Sequence, residues 1–130
     1  MEIITAHNDN SKYKTTIRST SGNIVIADEP TELGGANLGF SPVELLAAAL
    51  ISCTAITLRM YADRKEWNLI DIIVEATSEV REDGSTLFKL NIKLFGEIDS
   101  KQKERLLDIA KKCPIHKTLL HTMEIDTKLE

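Results

Sequence analysis

Residues 41–62 read SPVELLAAALISCTAITLRMYA. Ser41 suits an N-cap, Pro42 the first helical position, and Glu44 follows the serine at the interval of a capping box. The pattern predicts a helix from residue 42 to about Lys65. From Leu45 to Ile51 that helix is apolar on every side, so other structure must cover all of it. A single chain of 130 residues has little left for such a wrapping, and a dimer achieves it more readily. Glu44 and Arg59 bracket 14 uncharged residues, the length of a buried helix and short of a membrane span.

Upstream, residues 3–7 and 12–19 are expected to be strands joined by the turn-rich HNDNS. Ser21-Gly22-Asn23 then turns into a third strand, NIVIADE, completing an antiparallel unit. The loop EPTELGGANLGF leads into the helix. Its GGANLG segment matches neither GxGxxG nor GxxxxGK[ST], so a turn is expected there and not a phosphate cradle. Asp28 and Glu29, ahead of Pro30, read as part of the same loop.

Downstream, residues 69–80 and 86–98 are expected to form a hairpin about Glu82-Asp83-Gly84-Ser85. Phe88, Leu90, Ile92 and Leu94 alternate with Lys89, Asn91 and Lys93, which places the first set on the core face. Residues 100–112 predict an amphipathic helix capped by Ser100, with Leu106, Ile109, Ala110 and Cys113 on one stripe. Pro114 ends it and opens a short helix, PIHKTLL, before a final alternating strand over 122–129. The order β-β-β-α-β-β-α-α-β, with strands in antiparallel runs, is an α+β class in a single domain, 1–130. Trp67, just past the long helix, is expected to be a packing anchor, and His7 a surface residue.

The formal net charge is −4. Nucleic acid and anionic membrane both require clustered Lys and Arg, so neither is expected as a partner. The N-terminus MEIITAHNDN lacks the charged-then-apolar pattern of a secretory signal, which points to the cytoplasm. A permanent disulfide is then unexpected for the two cysteines, Cys53 and Cys113, while a transient catalytic one is compatible. A zinc site from Cys113, His116 and His121 is disfavoured by the absence of any CxxC, and no cofactor is implied.

Cys113 precedes a proline, which disfavours the helical conformation at residue 113 and puts it at the N-cap of PIHKTLL. There its sulfur meets free backbone N–H groups, with Lys111, Lys112 and His116 near in sequence, a setting that favours a thiolate. Cys53 lies deep within its helix, and nothing local lowers its pKa. Composition and spacing leave it open between an inert small hydrophobe and a reactive thiol.

The combination of GGANLGFSPVELLAAALISCTAITLRMYA with AKKCPIHKTL resembles the OsmC/Ohr family of thiol-dependent peroxidases. The shared features are the DEP before the loop, the Gly-Gly pair, the Pro-x-Glu-Leu-Leu helix start, Ser-Cys-Thr within the helix, and the later Cys-Pro. The resemblance implies an intertwined homodimer with antiparallel sheets wrapped around long central helices. It also implies that Cys53 is the peroxidatic residue and Cys113 the resolving one. The substrate would be an organic hydroperoxide, and an external thiol or dithiol would complete the cycle. In the family's pattern an arginine of the N-terminal strands pairs with a glutamate at the start of the cysteine helix. Here Arg18 is the arginine available, with Lys12 and Lys14 as other sources of charge. Val43 stands at the usual glutamate position and Glu44 one residue on, about 100° round the helix. Glu44 thus carries two readings, catalytic partner and helix cap. The same scaffold also admits a non-catalytic reading, a small-ligand-binding or redox-sensing module with Cys53 as a lining residue.

Overall fold

A computed structural model describes residues 2–130. The elements are β1 (Ile4–His7), β2 (Thr15–Ser19), β3 (Ile24–Ala27), a 3-10 turn (Thr31–Leu33), α1 (Pro42–Arg64), β4 (Asn68–Val80), β5 (Thr86–Glu97), α2 (Ser100–Ala110) and α3 (Pro114–Leu120). Both sheets are antiparallel, one in the order β1-β2-β3 and the other the β4-β5 hairpin. This is the expected α+β class. The chain divides into two compact units, one ending at Ala48 and one from Ala49 to Glu130.

In the first unit, β2 pairs with both neighbours, Ile17 lying opposite Ala6 and Val25. The strand starts at Thr15 and not at residue 12, because the Tyr13 N–H is bound elsewhere, at 2.9 Å from Asp28 Oδ1. Asp28 is buried, and its carboxylate also accepts from Glu29 N at 2.7 Å and from Leu38 N at 3.1 Å. The chain therefore wraps around this one carboxylate. Gly35 is part of the wrapping: a Cβ there would collide with the Glu29 carbonyl and press on Asp28 Oδ1. The capping box at the head of α1 forms as expected. Glu44 N donates to Ser41 Oγ at 3.2 Å, and Ser41 N donates to Glu44 Oε1 at 2.8 Å.

The second unit holds the apolar core, built from Leu58 and Ala62 of α1, Leu69 of β4, and Leu106, Ile109 and Ala110 of α2. Fully burying a leucine such as Leu58 or Leu106 contributes roughly 1.5–3 kcal/mol. The hairpin alternates as its sequence directs, with Leu90, Ile92 and Leu94 half-buried and Lys89, Asn91 and Lys93 exposed. Its ladder shifts register between Leu69 and Asp71. There the Arg59 guanidinium donates to the carbonyls of Leu69 and of Ile70, the latter at 2.8 Å. Trp67 is half-buried and meets the Tyr61 ring edge-on, with centroids 5.5 Å apart.

Three expectations need correction. The cap of α2 is Asp99, one residue before Ser100, and it forms a reciprocal box with Gln102. A carboxylate is a strong acceptor for the free N–H groups of a first turn, so the helix starts from it. That helix also stops at Ala110, because Lys111 and Lys112 form a turn that delivers Cys113 to the next cap. Residues 122–129 are not a strand: a strand needs a ladder partner, and this segment pairs with none of the described residues. Ile125 is 89% exposed and Leu129 98%.

Much of α1 is left uncovered by the described residues of its own chain. Only Leu50, Thr54, Leu58 and Ala62 are buried, one residue per turn along a single stripe. Leu46, Ile56 and Met60 remain exposed. By length and composition α1 would suit a membrane span. Its charge-free stretch 45–58 rises only about 21 Å, however, against a hydrocarbon core of about 30 Å. Leu58 and Ala62 also sit in the unit's core, as those of a core helix do.

Candidate active site

Cys53 and Cys113 are both free thiols of the second unit. α1 carries Cys53, half-buried, beside the fully buried Thr54. The turn from α2 into α3 carries Cys113, which is fully buried. Cys113 is the N-cap of α3, in the extended conformation that Pro114 imposes, and its sulfur accepts the His116 backbone N–H at 3.2 Å. The Thr54 hydroxyl reaches the same sulfur at 3.9 Å and donates to the Leu50 carbonyl at 2.9 Å.

Burial pushes the Cys113 thiol above its usual range, and the neighbouring Cys53 thiol pushes it the same way. The His116 N–H and the Thr54 hydroxyl act in the opposite sense, and burial prevails. This corrects the expectation of a cap-activated thiolate at Cys113. The cap geometry is present, but the sulfur sits in apolar packing that the sequence neighbours Lys111 and Lys112, both exposed, do not offset.

The two other candidate residues belong to the first unit. Arg18 is an exposed residue of β2, opposite Thr5 and Ile24. Glu44 uses Oε1 as the capping-box acceptor for Ser41 N. Among the described residues the two form no ion pair with each other. No group of three or more His, Cys, Asp or Glu among the described residues gathers in a way that would hold a metal ion. Cys113 and His121 cap opposite ends of α3. A surface groove of about 490 Å³ in the second unit runs along Ile56 and Met60 of α1 and Ile70 and Ile72 of β4, and neither thiol lines it.

Two residues that sequence reasoning passed over matter here. Thr54 was readable as a lone hydroxyl in the apolar stripe of α1, but its partner was not. Asp28 was assigned to the loop, although an acid next to a glycine-rich run of N–H donors is the signal of a loop organiser.

A family model of OsmC-like proteins matches residues 34–128. Among solved structures, a putative osmotic stress induced and detoxification response protein from Psychrobacter arcticus 273-4 is 24% identical, with a TM-score of 0.78, over 88% of this chain and 85% of that one. An OsmC-like protein from Mycoplasma pneumoniae is 21% identical, with a TM-score of 0.75, over 92% and 86%. An organic hydroperoxide resistance protein OsmC from Legionella pneumophila, also described as a predicted redox protein and regulator of sulfide bond formation, is 21% identical, with a TM-score of 0.67, over 92% and 89%. No curated protein matches the sequence. The shared fold and the match across both cysteine segments lead to one conclusion: the chain belongs to the OsmC-like protein family.

Proposed function

We propose that the protein is a thiol-dependent peroxidase that reduces organic hydroperoxides. The observation that carries this reading is the meeting of two free thiols from distant parts of the sequence, Cys53 on α1 and Cys113 at the cap of α3. The Cys53 thiolate attacks the terminal oxygen of the hydroperoxide, the O–O bond breaks, and an alcohol leaves. Cys53 is then a sulfenic acid, which Cys113 converts to a disulfide with release of water. An external dithiol reduces the disulfide and restores both thiols. Half-burial at Cys53 suits a substrate with an apolar tail, and full burial at Cys113 suits a thiol kept for the internal step.

The first step needs a cation to hold the thiolate and polarise the peroxide. By analogy with the family's arginine we assign that role to Arg18, with Glu44, one position beyond the family's glutamate, as its partner. The exposed apolar faces of α1 support a homodimer in which a second copy covers them.

Consumption of cumene hydroperoxide in the presence of a dithiol tests the reading. Cys53→Ser is expected to abolish it, and Cys113→Ser to leave a sulfenic acid at Cys53 that dimedone traps. A Cys53→Ser protein as fast as wild type removes the peroxidase assignment.

A further inference from the structure

Thr54 stands beside the two thiols and has no part in the scheme above. It is fully buried in a stripe of α1 whose other members, Leu50, Leu58 and Ala62, are apolar. Valine has the same shape and no polar group to satisfy, so a buried hydroxyl here requires partners. It has two. It donates to the Leu50 carbonyl at 2.9 Å, and its oxygen lies 3.9 Å from the Cys113 sulfur. The backward bond to Leu50 fixes the side-chain rotamer and therefore the position of the oxygen. The Cys113 sulfur also receives the His116 N–H at 3.2 Å. It is thus held by polar groups from two helices, and one of them adjoins Cys53 in the chain.

We propose that Thr54 is a positioning residue for disulfide formation: with the His116 N–H, it aims the Cys113 sulfur at Cys53 and takes up charge as that thiol loses its proton. This rests on the peroxidase reading. In the step, the S–H bond of Cys113 and the S–O bond of the Cys53 sulfenic acid break, and an S–S bond forms. The proton leaves with the hydroxyl as water, and the sulfenic sulfur is reduced as the thiol sulfur is oxidised. The Thr54 hydroxyl has one hydrogen, held by the Leu50 carbonyl while Cys113 is a thiol. As that thiol ionises, the hydroxyl turns its hydrogen to the sulfur and, with the His116 N–H, offsets the burial that opposes ionisation. The groups acting on that sulfur are Cys53 and Thr54 from α1 and the His116 N–H from α3. Lys111 and Lys112, in the turn before Cys113, are exposed. The polar contacts on that sulfur are hydrogen bonds.

Two measurements test this. In the first, stoichiometric cumene hydroperoxide is mixed with the protein and sulfenic acid formation and disulfide closure are followed as separate phases across pH. Thr54→Val is expected to lower the ratio of the closure rate to the oxidation rate about tenfold, the effect of one hydrogen bond to a developing charge. It is also expected to move the closure profile to higher pH, while Thr54→Ser restores both. A Thr54→Val protein with the wild-type ratio and profile overturns the proposal. So does a slowing shared equally by Val and Ser with no change in profile. The second measurement needs no peroxide. In a Cys53→Ser background, thiolate ultraviolet absorbance, less that of the Cys53→Ser/Cys113→Ser protein whose tyrosines absorb in the same region, follows Cys113, and adding Thr54→Val is expected to raise its titration midpoint. If wild type forms no sulfenic acid, the peroxidase reading falls, yet this titration still decides whether Thr54 acts on the sulfur. An unmoved midpoint overturns it.

Discussion

The backbone N–H of His116 donates to the sulfur of Cys113 at 3.2 Å, so one side chain is both the cap of α3 and a member of the thiol pair. In the proposed peroxidase cycle, oxidation chemistry and local helix stability would therefore meet at a single atom, because a disulfide to Cys53 would change the sulfur that caps α3.

Removing that sulfur should loosen the corner. Cys113→Ala loses the cap acceptor and leaves a small void in the packing, and is expected to cost about 1–2 kcal/mol by urea unfolding. Cys113→Ser keeps an acceptor at the cap and should cost less. Equal losses for the two variants would show that the cap bond contributes nothing.

Asp28 should make the protein acid-sensitive. The Leu38 N–H first, and the Tyr13 and Glu29 N–H groups with it, hold its carboxyl below the usual carboxylate range, against the opposing effect of burial. A group with a lowered folded pKa stabilises fully above its unfolded value, about 3.9, and that contribution is lost as pH falls through the folded value. Wild type is thus expected to lose stability below about pH 4 more steeply than Asp28→Asn. The variant should be the less stable of the two at pH 7, because an amide cannot accept from all three donors. Parallel curves of stability against pH for the two proteins would remove Asp28 as the cause.

The uncovered face of α1 makes a prediction about assembly. Ile56 and Met60 are 54% and 61% exposed in the single chain. If a second copy buries them, Ile56→Glu or Met60→Glu places a charge in an apolar junction and should weaken the dimer more than tenfold. Sedimentation velocity at micromolar concentration reads this directly. Glutamate variants that sediment as the wild-type dimer would place the junction elsewhere.

Leu58 anchors the core where α1 meets α2 and β4. Leu58→Ala is expected to lower the unfolding free energy by about 2–5 kcal/mol with an unchanged denaturant slope. A smaller loss would mean that Leu106 and Ile109 close over the void.

Much of the molecule is legible in sequence because its signals are local. The head of α1 is written in Ser41, Pro42 and Glu44, and the capping box forms as those residues dictate. The hairpin is written in the alternation from Phe88 to Leu94, and the cap at Cys113 in the proline that follows it. Each depends on residues within one turn or one ladder step. The cysteine segments likewise carry enough pattern to point to the family.

What the sequence left open depends on groups far apart along the chain. The segment 122–129 has a strand's alternation, but alternation supplies no partner, and it pairs with none of the described residues. The ionisation of Cys113 could not be read from its cap and its lysines, because the burial that raises it comes from packing between α1 and the α2–α3 turn. Thr54 is one more small residue until Cys113 arrives beside it, and Asp28 is a loop acid until three backbone N–H groups close on it. Local propensity determined the elements and where they begin. Tertiary structure decided which polar groups lost their water and what replaced it, since desolvation is set by everything packed around a group and not by its neighbours in sequence.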